Sequence, residues 1–364
     1  MSQSTPVLIL VRALQNRGDI RMSSWIETKL LKNDLQRRRY RLFKKQRRSV
    51  FALFALTVLS LLSFSAEIWS NSRPVVMRYQ GQLWVPVLRE IHPSELGIQD
   101  AVVVQYRDLQ FQEGDWAIWP LNSWDPFESN LHVEKYPSTP SAENWLGTDD
   151  RGRDIFARLL YGFRYSITFA VIVWALTVAG AIVIGGAMGY FGGRVDLIGQ
   201  RLVEILSTIP VFFLLIILVA IFEPSLMMLV LITSVFSWIG LSYYVRGEFL
   251  KNRKMDFVES ARSLGAGHLR MIFKHVLPNS LVPVITFSPF ILASDVLRLA
   301  SLDYLGFGLR PPTPSWGELL SQAQKHFTTA WWLSVYPGLA LFITLVLLAM
   351  VGEGVRTAMD PRKG

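Results

Sequence analysis

Three runs of this sequence carry no charged side chain: residues 166–190, 226–245 and 333–351, of 25, 20 and 19 residues. The hydrocarbon core of a bilayer is about 30 Å thick, and a helix rising about 1.5 Å per residue crosses it in roughly 20 residues. Such runs therefore read as membrane spans. Residues 50–66 form a shorter charge-free run, 202–222 carry only Glu204, and 280–297 carry Asp295 and are interrupted by Pro283 and Pro289. Six transmembrane helices is the most economical count, and an all-α integral membrane protein is the expected fold class. Composition agrees, since 364 residues that are 51% hydrophobic, with 12 Trp and 22 Phe, are too apolar for a soluble domain of this size.

Lys and Arg collect in loops on the cytoplasmic side. Residues 1–49 hold 13 basic and 3 acidic side chains, and the run Arg37 to Arg48 abuts the first span, so the N-terminus is expected inside. The loop 246–280, with 7 basic and 3 acidic residues, then falls on the same side, whereas 67–165 holds 9 basic and 14 acidic residues and falls outside. The basic run reads as a topological signal; a lipid- or nucleic-acid-binding patch is the alternative, and no nucleic-acid partner is expected. The first long apolar run begins only at Val50, too late for a cleaved secretory signal. Met1 and Met22 are both candidate start residues.

This divides the chain into a basic segment 1–49, a first span 50–66, an extracytoplasmic insert with an interfacial helix over 67–165, a five-helix core over 166–355 containing the loop 246–280, and a tail 356–364. Alternating stretches around Gly81 and Gly114 predict β-hairpins in the insert. Ile155, Phe156, Leu159 and Leu160 share one face of an interfacial helix that Thr148, Asp149 or Asp150 would cap. Asp149, Asp150, Arg151, Arg153 and Asp154 lack a His or a metal-ligand spacing, and read as caps and ion pairs. Gly185, Gly189 and Gly193 recur every four residues and predict close helix packing.

Asp295 and Arg298, three apart near the outer end of the fifth span, are placed to pair with each other, and Glu204 lies near the inner end of the third. With five His, no Cys and no convergent carboxylates, nothing points to a catalytic or metal site. No Walker-type glycine loop occurs, so any nucleotide must be bound by another polypeptide.

The longest polar gap in the second half contains DFVESARSLGAGHLRMIFKHVLPN, residues 256–279. Asp256 as N-cap and Glu259 three residues on have capping-box spacing, and Phe257, Ala261 and Leu264 then share a face. Gly265 and Gly267 supply a turn. Leu269, Ile272, Phe273 and Val276 repeat at helical spacing until Pro278 ends the second helix. This predicts a helical elbow with its apolar face packed back on the spans and a basic rim of Arg262, Arg270 and Lys274. Such an elbow suits a subunit that receives movement from a cytoplasmic partner; an amphipathic hairpin lying on anionic lipid is the alternative.

The segment resembles the cytoplasmic signature of membrane subunits of binding-protein-dependent ABC importers: Glu-Ala-Ala, three residues, Gly, nine residues, then Ile-x-Leu-Pro. It matches at Glu259, Ala261, Gly265, Leu277 and Pro278, and departs with Ser260 in the second position and His275 in that of the Ile. NWLGTDDRGRDIFARLLYGFRYS from Asn144 and YLGFGLRPPTPSWGELL from Tyr304 are similar to stretches of the C-type permease in the dipeptide and oligopeptide importer branch. The long insert is similar to that of the microcin C and oligopeptide importer subgroup.

The resemblance implies a type I ABC importer permease that conducts peptides and is not itself an enzyme. Its implied partners are a homologous second permease, ATP-binding subunits that carry the ATP and Mg, a periplasmic substrate-binding protein and membrane lipid, in a bacterial inner membrane. Glu259, Ser260, Ala261, Gly265, Ala266, Gly267, Leu277 and Pro278 would couple it to the ATPase. Asp295, Arg298 and Asp303 are candidates for the path or outer gate, with Asp303 standing where many members have a small or apolar residue. A secondary transporter or channel working without an ATPase is the alternative.

Overall fold

A computed structural model describes residues 34–98 and 102–360. The candidate start residues Met1 and Met22, and residues 361–364 of the tail, lie outside the described residues. The basic helix α1 (Asp34–Lys45) precedes α2 (Arg47–Phe64), and the insert then leads to α3 (Ile155–Phe191). There follow α4 (Gly193–Ser207), α5 (Val211–Ile221), α6 (Leu226–Asn252) and α7 (Asp256–Ser263). The chain continues through α8 (Val282–Tyr304), α9 (Trp316–Lys325) and α10 (Trp331–Met359).

Five of these helices, α2, α3, α6, α8 and α10, are long and apolar enough to cross a membrane, and a sixth span results if α4 and α5 count as one. Residues 202–222 are not one straight helix as predicted. The pair α4–α5 is bent by 64° at Thr208 to Pro210. Proline has no N–H and disfavours helical backbone in the residue before it, so the break falls at Ile209–Pro210. Glu204 sits on α4 in an exposed pair with Arg201 at 2.6 Å.

The predicted interfacial helix and the second span are fused in α3, 37 residues long. Its N-cap is Asp154, not Thr148, Asp149 or Asp150: the Asp154 carboxylate accepts from Ala157 N at 2.8 Å. α3 packs along α6 and also meets α2 and α8, while α10 closes the bundle against α2 and α8. Apolar side chains from several helices meet between them, with Phe169 and Val173 of α3 against Leu229 of α6 and Leu299 of α8.

The insert contains an antiparallel sheet of β1 (Val76–Tyr79), β2 (Gln82–Trp84) and β3 (Trp116–Ile118), in the order β2-β1-β3. Gln80 and Gly81, with φ of 51° and 77°, make the two-residue turn between β1 and β2. Only one strand forms beside Gly114 where a hairpin is predicted. Val104 and Tyr106 fill the small core under β1 from a loop instead, and both neighbours of β1 are already taken.

Two of the three spaced glycines act as predicted. A Cβ on Gly185 would lie 2.5 Å from the Ser242 carbonyl oxygen, and one on Gly189 would lie 2.5 Å from Phe249 Cβ and 2.6 Å from the Arg246 carbonyl. α3 and α6 therefore meet backbone to backbone. Gly193 differs: it begins α4 with φ of 51° and has open space around it, so it serves the bend and not the packing. Replacing Gly189 by Leu is expected to cost about 1–3 kcal/mol through overpacking. Gly338→Ala, where a Cβ meets nothing within 4 Å, should leave stability unchanged or higher. Thermal unfolding of the purified assembly checks both.

Candidate functional site

The elbow hangs from the ends of α3 and α6. Arg253 donates to the Tyr190 carbonyl at 2.9 Å, and Asn252 Nδ2 donates to Ser280 Oγ at 3.0 Å. α7 does not start with a capping box. Met255 is the N-cap without a side-chain hydrogen bond, Asp256 is already the first helical residue, and Glu259 does not reach back to it. The helix ends in a Schellman closure: Gly265 N donates to the Arg262 carbonyl at 2.9 Å and Ala266 N to the Ala261 carbonyl at 3.1 Å. This geometry requires the φ of 80° at Gly265. Gly267 supplies no left-handed residue; with φ of −68° it is the N-cap of the next piece.

The second arm runs through His268–Arg270, a π-helical stretch Met271–Val276 and Leu277–Ser280. Pro278 does not end it. The wider π turn precedes the proline and relieves the clash its ring would make with the carbonyl four residues back.

The elbow's apolar face is only partly the predicted one: Ile272 and Val276 turn inward as expected, and other predicted positions do not. Val258, Met271 and Val276 are buried against Val245, Phe249 and Val284, with Ala266, Ile272 and Leu277 packed around them. Phe257, Leu264, Leu269 and Phe273 are instead 44%, 89%, 72% and 63% exposed. Glu259 is in no salt bridge among the described residues, and lines an open recess of about 770 Å³ with Tyr190, Phe191, Arg253, Lys254, Arg262 and His268. Ser260 and Ala261 lie on α7 beside it.

At the other end of the bundle, Asp149 and Arg153 form the kind of ion pair expected of their cluster, and Arg158 and Glu318 converge on it. Asp149 Oδ2 accepts from Arg153 Nε at 2.7 Å and lies 3.4 Å from Arg158 Nε; Glu318 Oε1 accepts from Arg153 at 3.0 Å and its other oxygen pairs with Arg158. All but Glu318 are fully or almost fully buried. Arg158 also donates to the Pro126 carbonyl at 3.0 Å. Burial works against the Arg153 charge, and the neighbouring Asp149 and Glu318 outweigh it and hold its pKa up. Burial also pushes the Asp154 carboxyl up, against donors from Ala157 N, Asn144 and Asn122. This network joins the segment before α3 to α9, and Glu318 had no signal of its own in the sequence.

Asp303 spends both oxygens on the loop before α9: one accepts from Leu309 N at 2.6 Å and the other from Ser315 Oγ. Asp295 and Arg298 do pair, at 3.3 Å. They are not at the outer end as predicted, because α8 runs on to Tyr304 and leaves Asp295 about 13 Å inside it at about 1.5 Å per residue. Asp303 and the Asp295–Arg298 pair thus have separate partners, and both lie on α8, the helix that follows the elbow.

Residues 181–364 match the family described as binding-protein-dependent transport system inner membrane component. The chain belongs to that family. An inner membrane ABC transporter permease of Escherichia coli is 38% identical over 330 residues, covering 89% of this chain and 96% of that protein. A peptidoglycan transport system permease of Agrobacterium fabrum is 37% identical, covering 90% of this chain and 93% of its own length. A dipeptide transport system permease of Alkalihalophilus pseudofirmus is 34% identical over 64% of this chain and 78% of its own. The chain is an inner membrane permease component, and its helices are those of a transport subunit.

The outer ion network generates a stability prediction. Glu318→Ala leaves two buried guanidinium groups short of a partner and is expected to destabilise by about 3–5 kcal/mol. The variant should show lower abundance in membranes and earlier thermal unfolding than Glu318→Gln, which keeps an acceptor for one of them.

Proposed function

We propose that this permease conducts peptides in an ATP-driven importer, and that residues 256–278 couple it to a separate ATPase. Relatives whose names give a cargo include peptidoglycan, dipeptide and glutathione permeases, which supports a peptide-type substrate. A homologous second permease would complete the path, ATP and Mg would be handled by the ATPase subunits alone, and a periplasmic binding protein would deliver substrate at the face carrying the insert. The charge distribution supports a cytoplasmic N-terminus and elbow.

The observation that carries the coupling role is the set of four large apolar side chains, Phe257, Leu264, Leu269 and Phe273, held outward on a clamped elbow. Left in water they forfeit hydrophobic stabilisation; seated in a groove on a partner they act as anchors. Glu259, in no salt bridge among the described residues, stands beside them to meet a basic group of that partner. Closure of an ATPase dimer would displace the elbow, and the hydrogen bonds of His268 with Tyr190 and of Ser280 with Asn252, with the apolar cluster that includes Val284, would pass the displacement to α3, α6 and α8. Rocking of the spans between two access states follows.

Phe273→Ser is expected to lower peptide uptake by the whole system tenfold or more, the size of effect of losing an anchor worth about 2 kcal/mol. ATPase subunits should co-purify with the variant less well. Unchanged uptake and co-purification would favour a hairpin that lies on lipid and a transporter working without an ATPase.

A further inference from the structure

We infer that Asp295, Arg298 and Ser237 form a station in the substrate path that binds the main chain of a peptide, with its α-ammonium group on Asp295. The inference rests on the reading of this chain as a peptide-conducting permease. Asp295 is 1% exposed, and while Oδ1 faces Arg298, Oδ2 has no hydrogen-bond partner among the described residues. A buried charged acceptor left unsatisfied costs more than a neutral one. An intramembrane carboxylate in that condition is kept for a ligand.

The surroundings fit a ligand with both charges. Asp295 and Arg298 line a groove of about 310 Å³ with Ser237, Tyr244, Phe287 and Ser294. Arg298 Nη1 donates to Ser237 Oγ at 2.9 Å, and its side chain is partly exposed. A guanidinium has five N–H donors, so others remain for a carbonyl or carboxylate. Ser237 and Arg298 also line a second recess, of about 250 Å³, walled by Val211, Phe212, Leu215 and Phe236. The polar pair thus stands between two recesses, each walled by aromatic and aliphatic side chains. An ammonium on Asp295 Oδ2 and a carbonyl or carboxylate on Arg298 would fix the peptide backbone, while the recesses take side chains without selecting a charge.

The depth is that of a path. Ser237 lies well inside α6 and Asp295 well inside α8, each more than two turns from either helix end. A metal ion is a poor candidate, since no group of three metal-ligating side chains occurs among the described residues.

The test uses the whole importer in proteoliposomes and two probes, trialanine with a free amino group and N-acetyl-trialanine. The binding protein is common to all samples, so the quantity read is the ratio of the two uptake rates relative to the unaltered system. Asp295→Asn is expected to lower uptake of free trialanine about tenfold or more and that of the acetylated peptide less than about twofold, a tenfold change corresponding to about 1.4 kcal/mol. An equal loss for both, or no loss for either, overturns the station and leaves the importer reading standing. If the unaltered system takes up no peptide, the importer reading itself fails.

A second measurement does not depend on Asp295→Asn assembling. Ser294 is exposed in the groove and the chain has no Cys, so Ser294→Cys introduces a unique thiol. Labelling by a membrane-impermeant thiol reagent that free trialanine slows and the acetylated peptide does not supports the station. Labelling indifferent to both, or no labelling at all, overturns it.

Discussion

α3 and α6 touch backbone to backbone at Gly185 and Gly189, and the elbow end of the molecule depends on that contact. Lipid offers helices no hydrophobic reason to associate, so close packing of small residues must do what burial does in water. Where the two helices emerge, Phe249 packs on Gly186 and Gly189, and the same side chain belongs to the cluster that seats Val258, Met271 and Val276 of the elbow. The elbow is therefore an extension of the helix pair. A push on it reaches both spans, which is what a coupling element requires.

The opposite end is held by different physics. There Asp149, Arg153, Arg158 and Glu318 form a buried network of charges, and Asp303 ties down the loop that carries α9. Gly317 belongs to the same design, since a Cβ there would come within 2.1 Å of the Ala300 carbonyl. Buried ion pairs contribute little net stability but penalise any arrangement that separates them. A charge-tied end and an elbow fused to the opposite end leave the bent pair α4–α5 and the groove between α6 and α8 as places where the bundle has room.

The spans were legible in the sequence because absence of charge over about 20 residues has one physical meaning. The elbow was legible as two amphipathic pieces about Gly265, yet which apolar side chains turn inward was only partly so. Phe257 and Leu264 share the periodicity of a core face, and only the position of the helix relative to α3 and α6 decides that Val258 is covered and they are not. Asp256 has the chemistry of a cap and sits one residue too late to act as one. In the ion network the local Asp149–Arg153 pairing was legible and its link to α9 was not: Arg158 and Glu318 are 160 residues apart, and such pairing leaves no local pattern. Asp295 was placed too near the surface because its helix runs seven residues beyond the apolar stretch that marked it, 297 to 304.

The claim on which the account turns is that the elbow's exposed apolar side chains meet an ATPase. Leu269→Cys in this Cys-free chain, tested in membranes against single cysteines lining the candidate ATPase's groove, measures it directly. A disulfide cross-link whose yield changes between ATP and no nucleotide is the predicted result. No cross-link from Leu269→Cys or Leu264→Cys, in membranes where the complex is shown to be intact, would contradict it.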